Sequence, residues 1–333
     1  MSAGFYYGSL PSRFAAQEYC WWNSRLPESF GALWSNYLCN LTSHLAAGHK
    51  VAVLDSLWEE GGGKRTNLQP QTQFFHVDIT NEDSLNQVFD TVRPEIVCHQ
   101  AAQQSVAVST QDPKLDARVN VLGLLNVLTN CTRVGTRKIV FASSGATYGT
   151  PVRLPIDEEV EQHPESPYGI TKMVAEHYLR YWKEANGLTY TILRYGNVFG
   201  PRQDPNGEAG VIAIFARRFL NHETIRIDWD GEQQKDYIYV GDVAQANLIA
   251  MEHGDNDIFC IGTGTGTSVN EIYQAMAKLI GYKPEIVRTP KRPGDIYLSY
   301  FDCSKAARIL GWNAAVTLEE GIRATVEYFK KAE

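Results

Sequence analysis

A chain of 333 residues, 44 % of them apolar, is long enough for one large or two modest domains with a full core, and its composition is that of an ordered soluble protein. The net charge of -7 is spread over interspersed residues without a basic block, which argues against a nucleic-acid surface or an anionic membrane as partner. Six cysteines (Cys20, Cys39, Cys98, Cys131, Cys260, Cys303) form no CxxC pair and do not join the histidines at metal-ligand spacing, and neither an 18-residue apolar run nor a secretion signal is legible. A reduced, cytoplasmic setting without a structural metal is the expectation.

Residues 1–37 hold ten aromatics, against 27 in the remaining 296, and nothing there reads as a β-branched first strand. From position 50 onward short β-branched runs alternate with helical patterns: Val51–Asp55, Phe74–Asp78, Ile96–His99, Ile139–Ala142 and Tyr190–Arg194. Such alternation predicts an α/β fold, a doubly wound parallel sheet with helices on both faces and ligands beyond the carboxyl ends of the strands. Asp55, Asp78 and the run His99-Gln100-Ala101-Ala102 fall at those ends.

A helix is predicted to start at Ser166, a good N-cap, with Pro167 at its first position and Gly187 at its exit. After about residue 197 the pattern loosens into Gly- and Pro-rich connections, which suggests a smaller substrate-capping domain. Gly262-Thr263-Gly264-Thr265-Gly266 imitates a phosphate-cradling loop, but Ser268-Val269-Asn270-Glu271 follows as a capping box, so these glycines are read as the turn into a helix.

Tyr168 and Lys172, four residues apart, share one helix face one turn apart, with Ser143-Ser144 just after the apolar run Ile139-Val140-Phe141. This is a proton-transfer constellation. Making a phenol a base at neutral pH requires lowering its pKa from ~10 by roughly 3 units, about 4 kcal/mol, which the ammonium and a bound cofactor cation together are expected to supply.

The Ser143-Ser144 strand end, Tyr168-x-x-x-Lys172, Leu193-Arg194-Tyr195-Gly196-Asn197-Val198-Phe199-Gly200-Pro201-Arg202, Asp236–Ala244 and Arg292-Pro293-Gly294-Asp295 together resemble the extended short-chain dehydrogenase/reductases. More narrowly, the chain from about residue 45 resembles the UDP-glucose (UDP-galactose) 4-epimerases. The resemblance implies a Rossmann-type sheet with a smaller C-terminal substrate-binding domain. It divides the chain into an atypical segment over 1–40, an NAD-binding domain over 41–196, and a mainly UDP-sugar-binding domain over 197–333 with some segments returning to the first.

It further implies an NAD that is reduced and reoxidised within one turnover. Tyr168 would take the proton of the sugar 4-hydroxyl, Ser144 would hydrogen-bond the 4-oxygen and relay its proton, and Lys172 would hold the nicotinamide ribose and depress the tyrosine pKa. Ser143 is left with closing the strand. Asp55 matches the acidic residue on the adenosine ribose, Asp78 and Ile79 the adenine contact, and Gln100, Ala101, Ala102, Gln104 and Asn120 the cofactor lining; Asp78 has the rival role of a strand-end turn residue.

On the substrate side Asn197 matches a diphosphate contact, and Arg292 and Asp295 the phosphate and uridine ribose contacts. Lys235 stands where the family usually has Arg, keeping the charge but losing the two-pronged fork. Ser299 is small at a position where bulk limits C2 substituents, so an N-acetylhexosamine pair is expected to be tolerated. No acid follows Ser144 in Gly145-Ala146-Thr147-Tyr148, which favours epimerisation over a 4,6-dehydratase or decarboxylase. A homodimer is expected through the helices Lys114–Thr132 and Pro167–Ala185.

The first strand-turn-helix of such a fold carries Gly-x-x-Gly-x-x-Gly, whose amides approach the pyrophosphate. Here the three positions fall at Gly31, Trp34 and Tyr37, and only the first is glycine. Two explanations fit: an out-of-frame translation that returns to the family pattern near Leu45–Val51, or a diverged amino terminus. The second functional class is accordingly a UDP-sugar-binding homologue without competent NAD binding.

Overall fold

The computed structural model describes residues 48–56, 68, 72–205, 210–291 and 295–332. The atypical segment 1–40, including Gly31, lies outside the described residues, as does Arg292.

In chain order the first half comprises β1 (Ala52–Asp55), β2 (Gln73–His76), α1 (Glu82–Val92), β3 (Ile96–His99), α2 (Val106–Gln111), α3 (Pro113–Ala117), a π-helical turn (Arg118–Gly123), α4 (Leu124–Val134), β4 (Lys138–Ser144), α5 (Pro167–Asn186) and β5 (Thr189–Tyr195). The second half adds β6 (Asn197–Phe199), α6 (Val211–Leu220), β7 (Ile225–Asp228), β8 (Gln234–Tyr239), α7 (Val240–Glu252), β9 (Asp257–Ile261), β10 (Gly266–Ser268), α8 (Val269–Ile280), β11 (Ile286–Thr289), β12 (Leu298–Ser299), α9 (Ser304–Leu310) and α10 (Leu318–Ala332).

The strands β3-β4-β5-β9 form one parallel ladder, and β1 pairs β2 in a second. Because alternate strand residues face opposite ways, Val97, Ile139, Phe141 and Ile192 enter an apolar layer with Leu85, Phe89, Leu128 and Leu179 of α1, α4 and α5. Their neighbours Cys98, Val140 and Leu193 enter the opposite layer with Val243 and Ala250 of α7 and Leu310 of α9. Both β1 and β2 feed the same two layers. This is the Rossmann-type doubly wound α/β fold, and burying each large apolar side chain stabilises it by roughly 1.5–3 kcal/mol. A separate apolar centre gathers Phe215 and Phe219 of α6, Ile272 and Met276 of α8, and Ile322 and Val326 of α10 around β7 and β8.

The expected single helix Lys114–Thr132 is instead two helices, α3 and α4, joined through the π-helical turn. The turn passes so close to the loop after β2 that a Cβ on Gly123 would lie 2.5 Å from Ile79 Cδ1. The strand expected at Phe74–Asp78 ends at His76, because Asp78 instead folds back on Thr80.

Candidate active site

Ser144 ends β4, where its ladder partner is Tyr195, and its Oγ accepts from Ala146 N (3.1 Å) to cap a 3-10 turn over Gly145–Tyr148. The predicted start of α5 holds: Ser166 Oγ accepts from Gly169 N (3.1 Å), Pro167 occupies the first turn, and Gly187 closes the helix in the left-handed region with φ 75. Gly169 sets how near the two elements come, since a Cβ there would sit 2.5 Å from Ala146 O. That approach brings the half-buried Tyr168 near enough to the Ser144 hydroxyl for the serine to favour the phenolate.

One turn on, Lys172 is buried beneath the strand ends, where Nζ donates to Ala142 O (2.8 Å) and stands 4.9 Å from the Phe141 ring centre and 5.9 Å from that of Tyr168. Burial pulls its pKa down to about 8, against the opposing pull of Asp116 and Glu176. The Tyr168 phenol is pushed up to about 12, first by burial and also by Asp116, with Ser144 acting the other way. The ammonium alone therefore does not bring the phenol to neutrality, which leaves the larger share to the cofactor cation expected beside it. The ammonium is committed to a strand carbonyl, and desolvation outweighs it. His99, stacked on Phe141 with ring centres 5.7 Å apart, is held neutral by burial and then by Lys172, down to about 3.

Two buried polar networks flank this centre, and sequence reading missed both. In the first, Asp116 accepts from Gln103 Nε2 (2.7 Å), Asn120 Nδ2 (3.1 Å) and Thr171 Oγ1 (2.7 Å). Asn120, in the π-helical turn, also exchanges two bonds with the backbone of Gln103. A faint signal existed in the Asp116/Asn120 spacing of four on one helix face. In the second, Arg194 grips Glu176 with Nε (2.9 Å) and Nη2 (2.6 Å). Ser143 Oγ donates to the same carboxylate (2.6 Å), so Ser143 does more than close its strand.

Of the expected cofactor residues, Asp55 is buried at the carboxyl end of β1, and Ala101 and Ala102 are buried just past β3, followed by the half-buried Gln104. Asp78 accepts from Thr80 N and Oγ1, which gives it a turn role, while Ile79 packs in the core. The Gln100 side chain departs from expectation: Nε2 donates to Asn247 Oδ1 (2.7 Å) and Tyr195 OH (3.1 Å), so its amide serves the interior beside α7. Asn120 likewise spends its amide on Gln103, Asp116 and Thr171.

On the substrate side β8 organises the residues. Asn197 pairs in register with Tyr237, and Ser299 with Lys235. Lys235 Nζ lies 3.5 Å from Asp295 Oδ1 and also donates to Ile296 O; burial lowers its pKa, with Asp295 opposing. Between them in sequence, the buried Asp236 accepts from Thr263 N (2.7 Å), Thr263 Oγ1 (2.8 Å), Gly264 N (3.0 Å) and Phe301 N (3.2 Å). The glycine loop thus cradles the protein's own carboxylate, and Ser268 and Glu271 form the expected capping box behind it. Among the described residues no group of three His, Cys, Asp or Glu side chains could hold a metal ion, and no helix is long and apolar enough to cross a membrane.

A serine at a strand end, beside a tyrosine one helical turn before a buried lysine on a doubly wound sheet, defines the short-chain dehydrogenase/reductase class. Within it the chain belongs to the NAD dependent epimerase/dehydratase family, which it matches over residues 38–262. A putative UDP-glucose 4-epimerase of Methanocaldococcus jannaschii is 43% identical over 283 residues, covering 85% of this chain and 91% of its own. A UDP-glucose 4-epimerase of Thermotoga maritima, solved with UDP-glucose, is 42% identical with TM-score 0.87 over 94% of this chain and 99% of its own. One from Thermus thermophilus, solved with NAD, is 39% identical with TM-score 0.86 over 94% and 100%.

Proposed function

We propose that the chain catalyses NAD-dependent 4-epimerisation of a UDP-hexose, UDP-glucose and UDP-galactose first, through a 4-keto intermediate. The observation that carries this reading is Lys172 buried under β4, its Nζ on Ala142 O and 5.9 Å from the Tyr168 ring centre, with Ser144 at the end of the same strand acting on the phenol. The residues present fit the cofactor. Asp55 and the small Ala101 and Ala102 lie at the carboxyl strand ends, and the Lys172 ammonium, with one N–H on Ala142, has two more to offer ribose hydroxyls.

NAD, when bound, supplies the hydride acceptor and a second positive charge. Bringing the phenol from about 12 to neutrality takes about 7 kcal/mol, beyond what Lys172 contributes from its present seat. In the proposed cycle the Tyr168 oxygen takes the proton of the sugar 4-hydroxyl and later returns it. Ser144 Oγ holds the 4-oxygen throughout, so that the keto group can turn over without losing its partner. Lys235 and Asp295, with Asn197, hold the diphosphate and uridine ribose; Arg292 is assigned to the same task by its position in the motif. The small Ser299 leaves room at sugar C2 for an N-acetyl group. We place the protein in the cytoplasm, as a homodimer seated on α4 and α5, where Leu122 in the preceding π-helical turn, and Ile170 and Tyr181 on α5, are exposed.

The test counts NAD released per chain on denaturation, before and after soaking with NAD, and follows UDP-galactose conversion in the wild type and in Tyr168→Phe. About one NAD per chain, turnover, and a loss of about 100-fold or more in the variant with its fold intact are expected. NAD near zero in both samples favours the second reading, a UDP-sugar-binding homologue, for which the single surviving glycine of the fingerprint, Gly31, is the motivating observation.

A further inference from the structure

The two carboxylates that act on Lys172 are not equivalent. Glu176 is matched by the Arg194 fork, so the pair carries no net charge. Asp116 is fully buried, and its three hydrogen-bond donors, Gln103, Asn120 and Thr171, are all neutral. Burial raises the Asp116 pKa, while the hydrogen bonds from Thr171 and Gln103 and the Lys172 charge favour the carboxylate; in that ionised form it projects its charge into a medium of low permittivity. Among the described residues the cation that acts on it is Lys172. Thr171, which donates to Asp116 Oδ2, is the residue before Lys172, so the same carboxylate also ties the first turns of α5 to α3.

Resting on the epimerase reading, we infer that Asp116 is a positioning residue for the Tyr168–Lys172 pair: its buried, hydrogen-bonded carboxylate is the counter-charge of Lys172 and the clamp on the helical turn that carries both side chains. It touches neither substrate nor cofactor in this scheme and acts through Thr171 and through the field at Lys172. The groups facing Lys172 are His99 from β3, Asp116 from α3, Tyr168 and Glu176 from α5, and Arg194 from β5 through Glu176. His99 stays neutral and Glu176 is compensated, which leaves Asp116 to set the sign of the local field.

The direction of the effect follows. A negative charge favours the ammonium of Lys172 and disfavours the phenolate of Tyr168, so Asp116 raises both pKa values. Asp116→Asn keeps the side-chain volume, and its amide can donate to Thr171 Oγ1, which reverses that bond without removing it. The variant should move both groups to lower pH by about one unit, a tenfold change in each proton affinity. Loss of a purely structural contact lowers activity without moving the profile.

The first measurement is free of turnover: the tyrosinate absorbance of the holoenzyme and of Asp116→Asn is titrated with base, each against its own Tyr168→Phe partner. A midpoint for Tyr168 lower by about one unit in Asp116→Asn supports the inference, and an unchanged midpoint overturns it. Where wild-type turnover is present, both limbs of its pH profile should move down together in Asp116→Asn; a lower but unmoved profile overturns the inference. Absence of turnover in the wild type strikes the epimerase reading and leaves the titration to decide about Asp116. Should Asp116→Asn not fold alone, stability decides: Lys172→Met leaves the carboxylate uncompensated, so adding Asp116→Asn to it should not destabilise further. A double variant less stable than Lys172→Met refutes the pairing.

Discussion

Replacing Glu176 by Gln tests the buried fork beneath the proposed active site. The carboxylate accepts from Arg194 Nε and Nη2, from Ser143 Oγ and from Gln162 Nε2, and the two charged side chains are 2% and 1% exposed. Gln fills the same volume but leaves the guanidinium charged and uncompensated in the interior, a loss of about 3–5 kcal/mol for a buried pair broken on one side. With an unfolding entropy of about 2.1 cal/mol/K per residue, a chain of 333 residues has about 0.7 kcal/mol/K, so the melting temperature should fall by about 4–7 °C. Urea unfolding followed by tryptophan fluorescence, at constant m, supplies the free energy. Glu176→Leu with Arg194→Met removes both charges, and should recover most of the loss because desolvation of the pair is no longer incurred. A loss below about 1 kcal/mol in Glu176→Gln, or a double variant no better than the single, would refute the reasoning. Because Glu176 also supports the Lys172 ammonium, the single variant should push that group below its present value of about 8.

Three further outcomes follow from the geometry. Gly169→Ala forces the start of α5 away from Ala146 O, 2.5 Å from the added Cβ, and should lower kcat about 100-fold at a cost of about 1–3 kcal/mol in stability; full activity sinks the close-approach argument. His99 has a folded pKa of about 3, below its unfolded value, so the unfolded chain binds the extra proton as pH falls, and stability present above pH 6.5 is lost towards pH 3. Between pH 6.5 and pH 5 that slope amounts to about 2 kcal/mol, and His99→Gln should remove it in paired urea titrations; identical slopes contradict the assignment. Ser299→Tyr should cost UDP-N-acetylglucosamine turnover at least about tenfold more than UDP-glucose turnover, as measured by the ratio of kcat/KM; an unchanged ratio removes position 299 from the specificity argument.

What could be read from the chain was what neighbours in sequence determine. Ser166, Pro167 and Gly187 bound α5 because cap, first turn and left-handed exit are local requirements, and the same holds for Ser268 and Glu271. Ile96–His99 was legible to the residue as a buried β-branched run ending in polar residues. What escaped depended on partners distant in the chain. Asp116 meets Thr171 across 55 positions, and Gln100 turns inward because Asn247, 147 positions on, offers its amide oxygen. The π-helical turn within Lys114–Thr132 escaped because Val119, Asn120, Val121 and Gly123, though weak helix formers, do not by themselves distinguish a widened turn from a regular one. How the work on the phenol divides was hidden for a related reason: spacing gives the nearness of Lys172 but neither the depth of burial nor the Ala142 carbonyl that claims the ammonium.

The clasp on Asp236 bears on how readily pieces of this protein can be exchanged. Four donors on two segments after β9 and β12 converge on one side chain of β8, and a Cβ on Gly262 would lie 2.5 Å from its Oδ2. Strand β8 also carries Lys235, so the diphosphate grip proposed for that residue inherits its placement from that convergence. A chimaera that imports a foreign β8 to alter specificity must bring the 262–264 loop and the stretch around Phe301 with it, as one inheritable unit. Grafted alone, the strand arrives without its anchor, and the donor's specificity stays behind.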